Sequence, residues 1–270
     1  MLEQRGRSVA LDTLRVARSD YGVALTDGAG LHIDLVEHLL AALGGMGVRD
    51  GLWVCVDGPE LPLLDGGARC YVDALVALGV VGHHHHETGA AETAGLAERS
   101  GPPMRIVRSA ELHACGATYQ FTPGPSVEIR VELCFDHPAI ARQRAHWDGS
   151  AQQFADEIAP ARTFGFSQDA AKFAVSGRAG GMLSGCCDVL QSVVVFDDFG
   201  VAAASALPTP NEPARHKLLD LVGDLYTHGG PPLGTVFASR PGHTATHEII
   251  RNAFAQGVLE GRCRQQGKTA

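Results

Sequence analysis

The run RHKLLDLVGDL, residues 215–225, constrains this chain more than any other stretch. Taken as a helix at about 100° per residue, it puts His216, Asp220 and Asp224 on one stripe, because positions i, i+4 and i+8 share a face. Leu218, Leu219, Leu221, Val222 and Leu225 fall opposite and need a core to pack into, and Lys217 sits on the edge of the stripe. Such a helix is either the solvated amphipathic kind or one that turns an imidazole and two carboxylates toward a shared task. With one turn between them, an imidazole and a carboxylate can reach the same cation.

The core must be aliphatic, since the 270 residues are 45% hydrophobic but only 6% aromatic, a size that suits one or two domains. A net charge of −8 without a basic run argues against nucleic acid as a partner. No stretch approaches the roughly 20 apolar residues of a bilayer span. The opening MLEQRGRSVALDTL lacks the apolar centre of a signal peptide, so the expected location is cytoplasmic. The seven cysteines include no CxxC pair, and Cys55 and Cys134 sit in the apolar runs LWVCV and VELCF. Buried free thiols in a reducing compartment are expected, rather than a zinc–thiolate cluster.

Residues 83–104 shift to Gly, Ala, Glu and Thr and close on Pro102-Pro103. They read as a linker between a first domain, 1–82, and a second, 105–256, which a polar tail, 257–270, follows. The tract His83–His86 on the linker would collect metal adventitiously, without a preorganised site. In the first domain LHIDLVEHLLAALGGMG predicts a helix capped by Asp34 and stopped by Gly44-Gly45, followed by a short buried strand in GLWVCVDG and a second helix in RCYVDALVALG. The second domain offers strands in RIVRSAELHACGATYQFTP, SVEIRVELCF, LQSVVVFDDFG and LGTVFASRPGH, and helices in SAQQFADEIAPARTF up to Pro160, the His216 segment and TATHEIIRNAFAQGVLEG. Strands and helices in both halves, without regular βαβ alternation, predict the α+β class. GRAGGM at 177–182 lacks the strand–turn–helix setting of a phosphate loop.

A metal site on the 215–225 helix needs a donor beyond His216 and Asp220. His38 is a candidate, directly after Glu37 and on the flank of the first helix's apolar face. Asp34-x-x-Glu37 has the spacing of a capping box, which is an ordinary reason for that glutamate. A glutamate beside a metal-binding histidine is also what metal-assisted hydrolysis requires: the metal lowers the pKa of bound water toward ~7 and the carboxylate takes the proton. His243 and His247 in HTATHE, also four apart, are a weaker alternative.

DLVEHLLAALGGMGVRDGLWVCVDGPELPLLDGGA resembles the signature stretch of the UDP-3-O-acyl-N-acetylglucosamine deacetylases of lipid A synthesis. CFDHPAIARQ, EIAPARTFGF, ARHKLLDLVGDL and SRPGH resemble four further motifs of that family, in the same order. The resemblance implies a zinc-dependent hydrolase of two similar α+β domains, each with helices layered on a sheet, and an active site between them. By position it makes His38, His216 and Asp220 zinc ligands and Glu37 the general base. It makes His243 the charged histidine that stabilises the oxyanion and protonates the leaving amine, Asp224 the carboxylate that holds it, and Thr163 a hydroxyl beside the oxyanion. Lys217, Phe135 and Phe164 match positions that contact the substrate, a sugar-nucleotide lipid, and Arg240 replaces a family lysine near the phosphates. Ala117 stands where the family has a nucleotide-contacting lysine, and 167–190 corresponds to the acyl-chain insert. Family members open with additional strands and a Gly-Leu-His turn. Here the first sheet is expected to lack outer strands and to self-associate through the edge left open. Two alternatives are a paralogue that binds metal or sugar nucleotide without turnover, and a metal amidohydrolase for another N-acetyl sugar.

Overall fold

The computed structural model describes residues 1–80, 103–168, 189–202 and 207–261. The His83–His86 tract, Cys186, Cys187, Cys263, most of the 167–190 insert and the end of the tail lie outside them.

The chain opens on a hairpin that the sequence did not predict. β1 (Leu2–Gln4) pairs antiparallel with β2 (Arg7–Val9) and parallel with β6 (Val54–Val56). The two turn residues, Arg5 and Gly6, have φ of 52° and 76°, the paired positive values of a tight hairpin turn. Strands therefore do precede LDTLRVARSDYG, and the first sheet is built partly from them. β3 (Arg15–Arg18), β4 (Ala24–Thr26) and β5 (His32–Ile33) form a second antiparallel sheet.

Two helices complete this half, α1 (Glu37–Gly45) and α2 (Arg69–Ala77). Asp34 does not cap α1: the N-cap is Val36, without a side-chain cap. Asp34 instead bridges to Glu60 and accepts a hydrogen bond from Arg18, so tertiary partners outcompete the local cap. The expected burial of the thiols also fails: Cys55, Cys70, Cys115 and Cys134 form no disulfide, as expected, but are exposed. The period-two alternation of β6 turns Val56 inward and Cys55 outward, and Trp53 beside it is 59% exposed.

The larger sheet runs in the order β11 (Arg142–Trp147), β10 (Val127–Cys134), β15 (Gly234–Ser239), β9 (Ala117–Thr122), β8 (Ala110–Ala114). Only β10 and β15 pair in parallel. Val127, Ile129, Val131 and Leu133 of β10 are buried, while Glu128 and Arg130 point outward and pair with each other. A small sheet joins β12 (Thr163–Phe166), β13 (Val193–Asp197) and β14 (Gly200–Val201). Before β12 a short helical segment, Ala151–Ile158, ends in a π-helical turn. β7 (Arg105–Ile106) pairs with β16 (Leu259–Glu260).

The helix of the opening motif is α3 (Glu212–His228), and the last is α4 (His243–Ala255). α3 packs against α1, α4, β10 and β11 and is buried along nearly its whole length, on its polar stripe as well as its leucine face. A solvated amphipathic helix is therefore excluded. Buried apolar residues of both halves join in one cluster, from Leu39 and Leu40 of α1 to Leu221 of α3 and Ile129 of β10.

Two side-chain features position α3. At its start Glu212 accepts from the Arg162 side chain at 2.8 Å, from the Arg162 backbone N–H at 3.0 Å and from the Thr209 N–H at 2.6 Å. Burial opposes its charge, but these donors win and hold its pKa down at about 2, against an ordinary 4.5. The stabilisation is complete above that ordinary value and disappears as pH falls through about 2. Glu212→Gln is therefore expected to cost on the order of 2 kcal/mol at neutral pH and nothing in strong acid, measured as urea midpoints across pH.

Halfway along, α3 crosses α1 at Gly223, where a Cβ would lie 2.2 Å from the carbonyl oxygen of Glu37 and 3.2 Å from the Ala41 nitrogen. Backbone cannot give way as a flexible side chain can. Gly223→Ala should lower stability by about 1–3 kcal/mol, as overpacking does. It should also push Glu37 and His38 away from α3.

Candidate active site

The α1–α3 crossing brings together residues 178 and more positions apart in the chain, His38 with His216 and Asp220. One ligand atom from each lies within 4.8 Å of the others. The two imidazole rings meet edge-on, centroids 5.1 Å apart. His216 Nε2 is 3.4 Å and His38 Nε2 3.8 Å from Asp220 Oδ1. His216 Nδ1 lies 3.0 Å from the Ala161 carbonyl oxygen, and a carbonyl only accepts, so Nδ1 carries the proton and Nε2 turns its lone pair inward. Lys217 donates to Asp220 Oδ2 at 2.7 Å, which leaves Oδ1 buried without a hydrogen-bond partner.

Charges follow from these contacts. Burial, with His216 next, pushes His38 down to about 3, and burial also lowers His216, so both rings are neutral. Burial acts against an ionised Asp220, yet the nearby cations, the Lys217 ammonium and the charged His243, hold its pKa well below the ordinary carboxylate range. The bare Nε2 of His216, the neutral His38 ring and a carboxylate oxygen thus converge on one small volume. Their mutual repulsion is relieved when a cation sits among them.

Glu37 stands on the α1 side. Its Oε2 accepts from the Val23 N–H at 2.9 Å, and Gly22 passes so close that a Cβ there would lie 2.9 Å from Oε1. Burial, only partly offset by His243, raises Glu37 to about 7, where a carboxyl both takes and gives protons at neutral pH. His243 stands opposite, at the start of α4. Its Nδ1 donates to Asp224 at 2.9 and 3.0 Å, and its Nε2 lies 3.8 Å from Asp220 Oδ2. Burial and the positive helix end both oppose its charge. The carboxylates, Asp224 first, overcome them and raise it to about 9, so it is protonated at neutral pH. A base poised near neutrality and a charged imidazole therefore flank one carboxylate–imidazole cluster.

The flanking aromatic residues form a wall. Phe164 packs edge-on to the His216 ring at 6.3 Å and to Phe135 at 6.0 Å. The Lys217 ammonium lies 5.6 Å from the centre of the Phe164 ring, within cation–π range. Thr163 opens β12 two residues after Ala161, its N–H fixed by the Gly66 carbonyl at 2.7 Å. Arg240 stands apart: it is exposed, and among the described residues no hydrogen bond or ion pair joins its side chain to the cluster. His243 and His247 do not share a ligand set, because His247 lies behind Asp224. Three supports were not legible in the sequence, the Val23 N–H, the Ala161 carbonyl and Gly22. Backbone groups leave no side-chain signature, and Gly22 lies in the short bend SDYG, which carries no motif of its own.

Residues 2–255 match the family model described as UDP-3-O-acyl N-acetylglycosamine deacetylase. The chain is 32% identical over 252 residues to the UDP-3-O-acyl-N-acetylglucosamine deacetylase of Myxococcus xanthus (strain DK1622), covering 92% of this chain and 73% of that protein. It is 33% identical over 219 residues to the proteins of the same name from Brucella ovis and Brucella canis, covering 81% of this chain and 70% of each.

Proposed function

Since the chain belongs to the family of UDP-3-O-acyl-N-acetylglucosamine deacetylases, we propose that it hydrolyses the N-acetyl group of that substrate in lipid A synthesis, with zinc held by His38, His216 and Asp220. The single observation that carries the reading is the buried, unpartnered Asp220 Oδ1 facing two neutral imidazoles. That donor set, two nitrogens and one oxygen, suits zinc in a catalytic site with room for a further ligand. When bound, zinc would supply a Lewis acid and a more acidic water.

The rest falls to the chain. Glu37, raised to about 7 and steadied by the Val23 N–H, takes the proton of the attacking water. His243, charged and held by Asp224, points its Nε2–H into the site. There it stabilises the negative oxygen that develops as the acetyl carbonyl becomes tetrahedral, beside the Thr163 hydroxyl. It then gives its proton to the nitrogen as the C–N bond breaks, which leaves acetate and a free amine. Phe135, Phe164 and Lys217 receive the sugar-nucleotide part, and Arg240 the phosphates. The two α+β units, 1–82 and 105–256, meet at this site, the first giving Glu37 and His38 and the second the remainder.

Among the described residues no helix is long and apolar enough to cross a membrane. The test is acetate release from UDP-3-O-acyl-N-acetylglucosamine by purified protein. Turnover is expected to vanish on chelation and to return with stoichiometric zinc. Zinc binding without acetate release would favour the binding-only paralogue, and faster release from a different N-acetyl sugar would favour the other amidohydrolase.

A further inference from the structure

Behind Asp224 lie two buried histidines, His247 and His228, to which the mechanism above gives no role. Asp224, fully buried, meets His243 on one side, and on the other its Oδ1 faces His247 Nε2 at 3.5 Å. His247 Nδ1 in turn lies 2.9 Å from Nε2 of His228, the last residue of α3. Both rings are buried, His247 at 2% exposure and His228 at 0%. Burial keeps both neutral, His228 down at about 3. Two neutral imidazoles share one proton across such a contact, and the surroundings decide which ring donates it.

If His247 donated from Nδ1, its Nε2 lone pair would face the carboxylate and His228 Nδ1–H would be a buried donor without an acceptor. If His228 donates, His247 carries its proton on Nε2, directed at Asp224, and only an acceptor nitrogen of His228 is left over. The second arrangement avoids both a lone-pair repulsion and a stranded N–H, which is the costlier orphan. At 3.5 Å the His247–Asp224 contact is too long for a strong hydrogen bond, but the N–H dipole still points at a buried anion.

We propose that His247, locked as its Nε2–H tautomer by His228, is a positioning residue: it fixes the orientation of the Asp224 carboxylate so that both oxygens clasp His243 Nδ1. The HTATHE spacing then has a reason, since one turn of α4 puts His243 and His247 on opposite sides of one carboxylate. The proposal rests on the hydrolase reading only for its catalytic consequence; the tautomer stands on its own.

Two measurements on the zinc-loaded full chain test it. Nitrogen-15 NMR of the ring reads the tautomer without turnover. A protonated Nε2 on His247 is expected, and a protonated Nδ1 overturns the proposal whether or not the protein is a deacetylase. In the acetate-release assay His247→Leu should lower kcat by about 10–100-fold with KM and zinc content unchanged, as outer partners of catalytic groups do. His247→Gln, which restores an N–H of similar reach, should recover most of that loss. In a His243→Ala background His247→Leu should cost nothing further. An equal loss in the Leu and Gln variants that tracks their thermal midpoints, or full additivity with His243→Ala, assigns His247 a packing role only and overturns the proposal. His247→Met, apolar and of comparable length, replaces the Leu variant if that does not fold. An inactive wild type with the expected tautomer counts against the deacetylase reading and not against the lock.

Discussion

Glu37→Gln is expected to lower kcat by about 10²–10⁴-fold, the usual worth of a general base, while zinc content stays unchanged. The amide keeps the shape of the carboxyl and can still accept from the Val23 N–H, so the loop that passes Glu37 has no reason to move. What is lost is the ability to take a proton. The same substitution has an opposite effect on stability. Glu37 rises in the folded state from 4.5 to about 7, because burial penalises its charged form. A carboxyl with a raised pKa costs the fold nothing below its unfolded value, and the cost grows as pH rises through the folded one. At mildly alkaline pH the metal-free Gln variant should therefore be more stable than the wild type, on the order of 1–3 kcal/mol, with no difference in acid. Thermal midpoints of metal-free protein check the stability half, and single-turnover acetate release checks the catalytic half. A variant that keeps full activity removes Glu37 from the mechanism.

Asp220→Ala should have the largest effect on metal. Even the outer partners of a metal ligand are worth about 10–100-fold in affinity, and a ligand itself is worth more. Zinc affinity is therefore expected to fall by well over 100-fold, and turnover with it. The substitution also strips Lys217 of its ion pair. Lys217 keeps a quarter of its side chain exposed and can swing toward water, so the stability change should be small beside the loss of metal. Metal is best counted with His83–His86 replaced by alanine, since a histidine tract collects ions by itself. Retention of tight zinc binding by Asp220→Ala would show that the ion sits elsewhere.

How much of this was legible in the sequence depended on how far apart the partners lie. The polar stripe of α3 is a local, periodic signal, and it marked His216, Asp220 and Asp224 before any fold was known. The class, most elements of the larger sheet and the last two helices were legible for the same reason. Asp34 was misread because a capping box is also local: the spacing was right, but Arg18 and the Glu60 backbone bridge claimed the residue. The burial of α3 on all sides could not be read from a helix whose polar stripe looks solvated. It depends on α1 covering that stripe, and on Gly223, whose missing Cβ lets the helices touch. The first hairpin was missed because three-residue strands carry too little alternation to register. His228 and His247 form no motif at all, and only the packing of α3 against α4 makes them neighbours.

The central claim is that α1 and α3 fold so that one ion is shared by His38, His216 and Asp220. Anomalous X-ray scattering at the zinc edge from crystals of the zinc-loaded protein tests it most directly. A peak is expected about 2.0–2.2 Å from a ring nitrogen of His38, Nε2 of His216 and Oδ1 of Asp220. A zinc peak bound by other side chains, with these three left without metal, would contradict it.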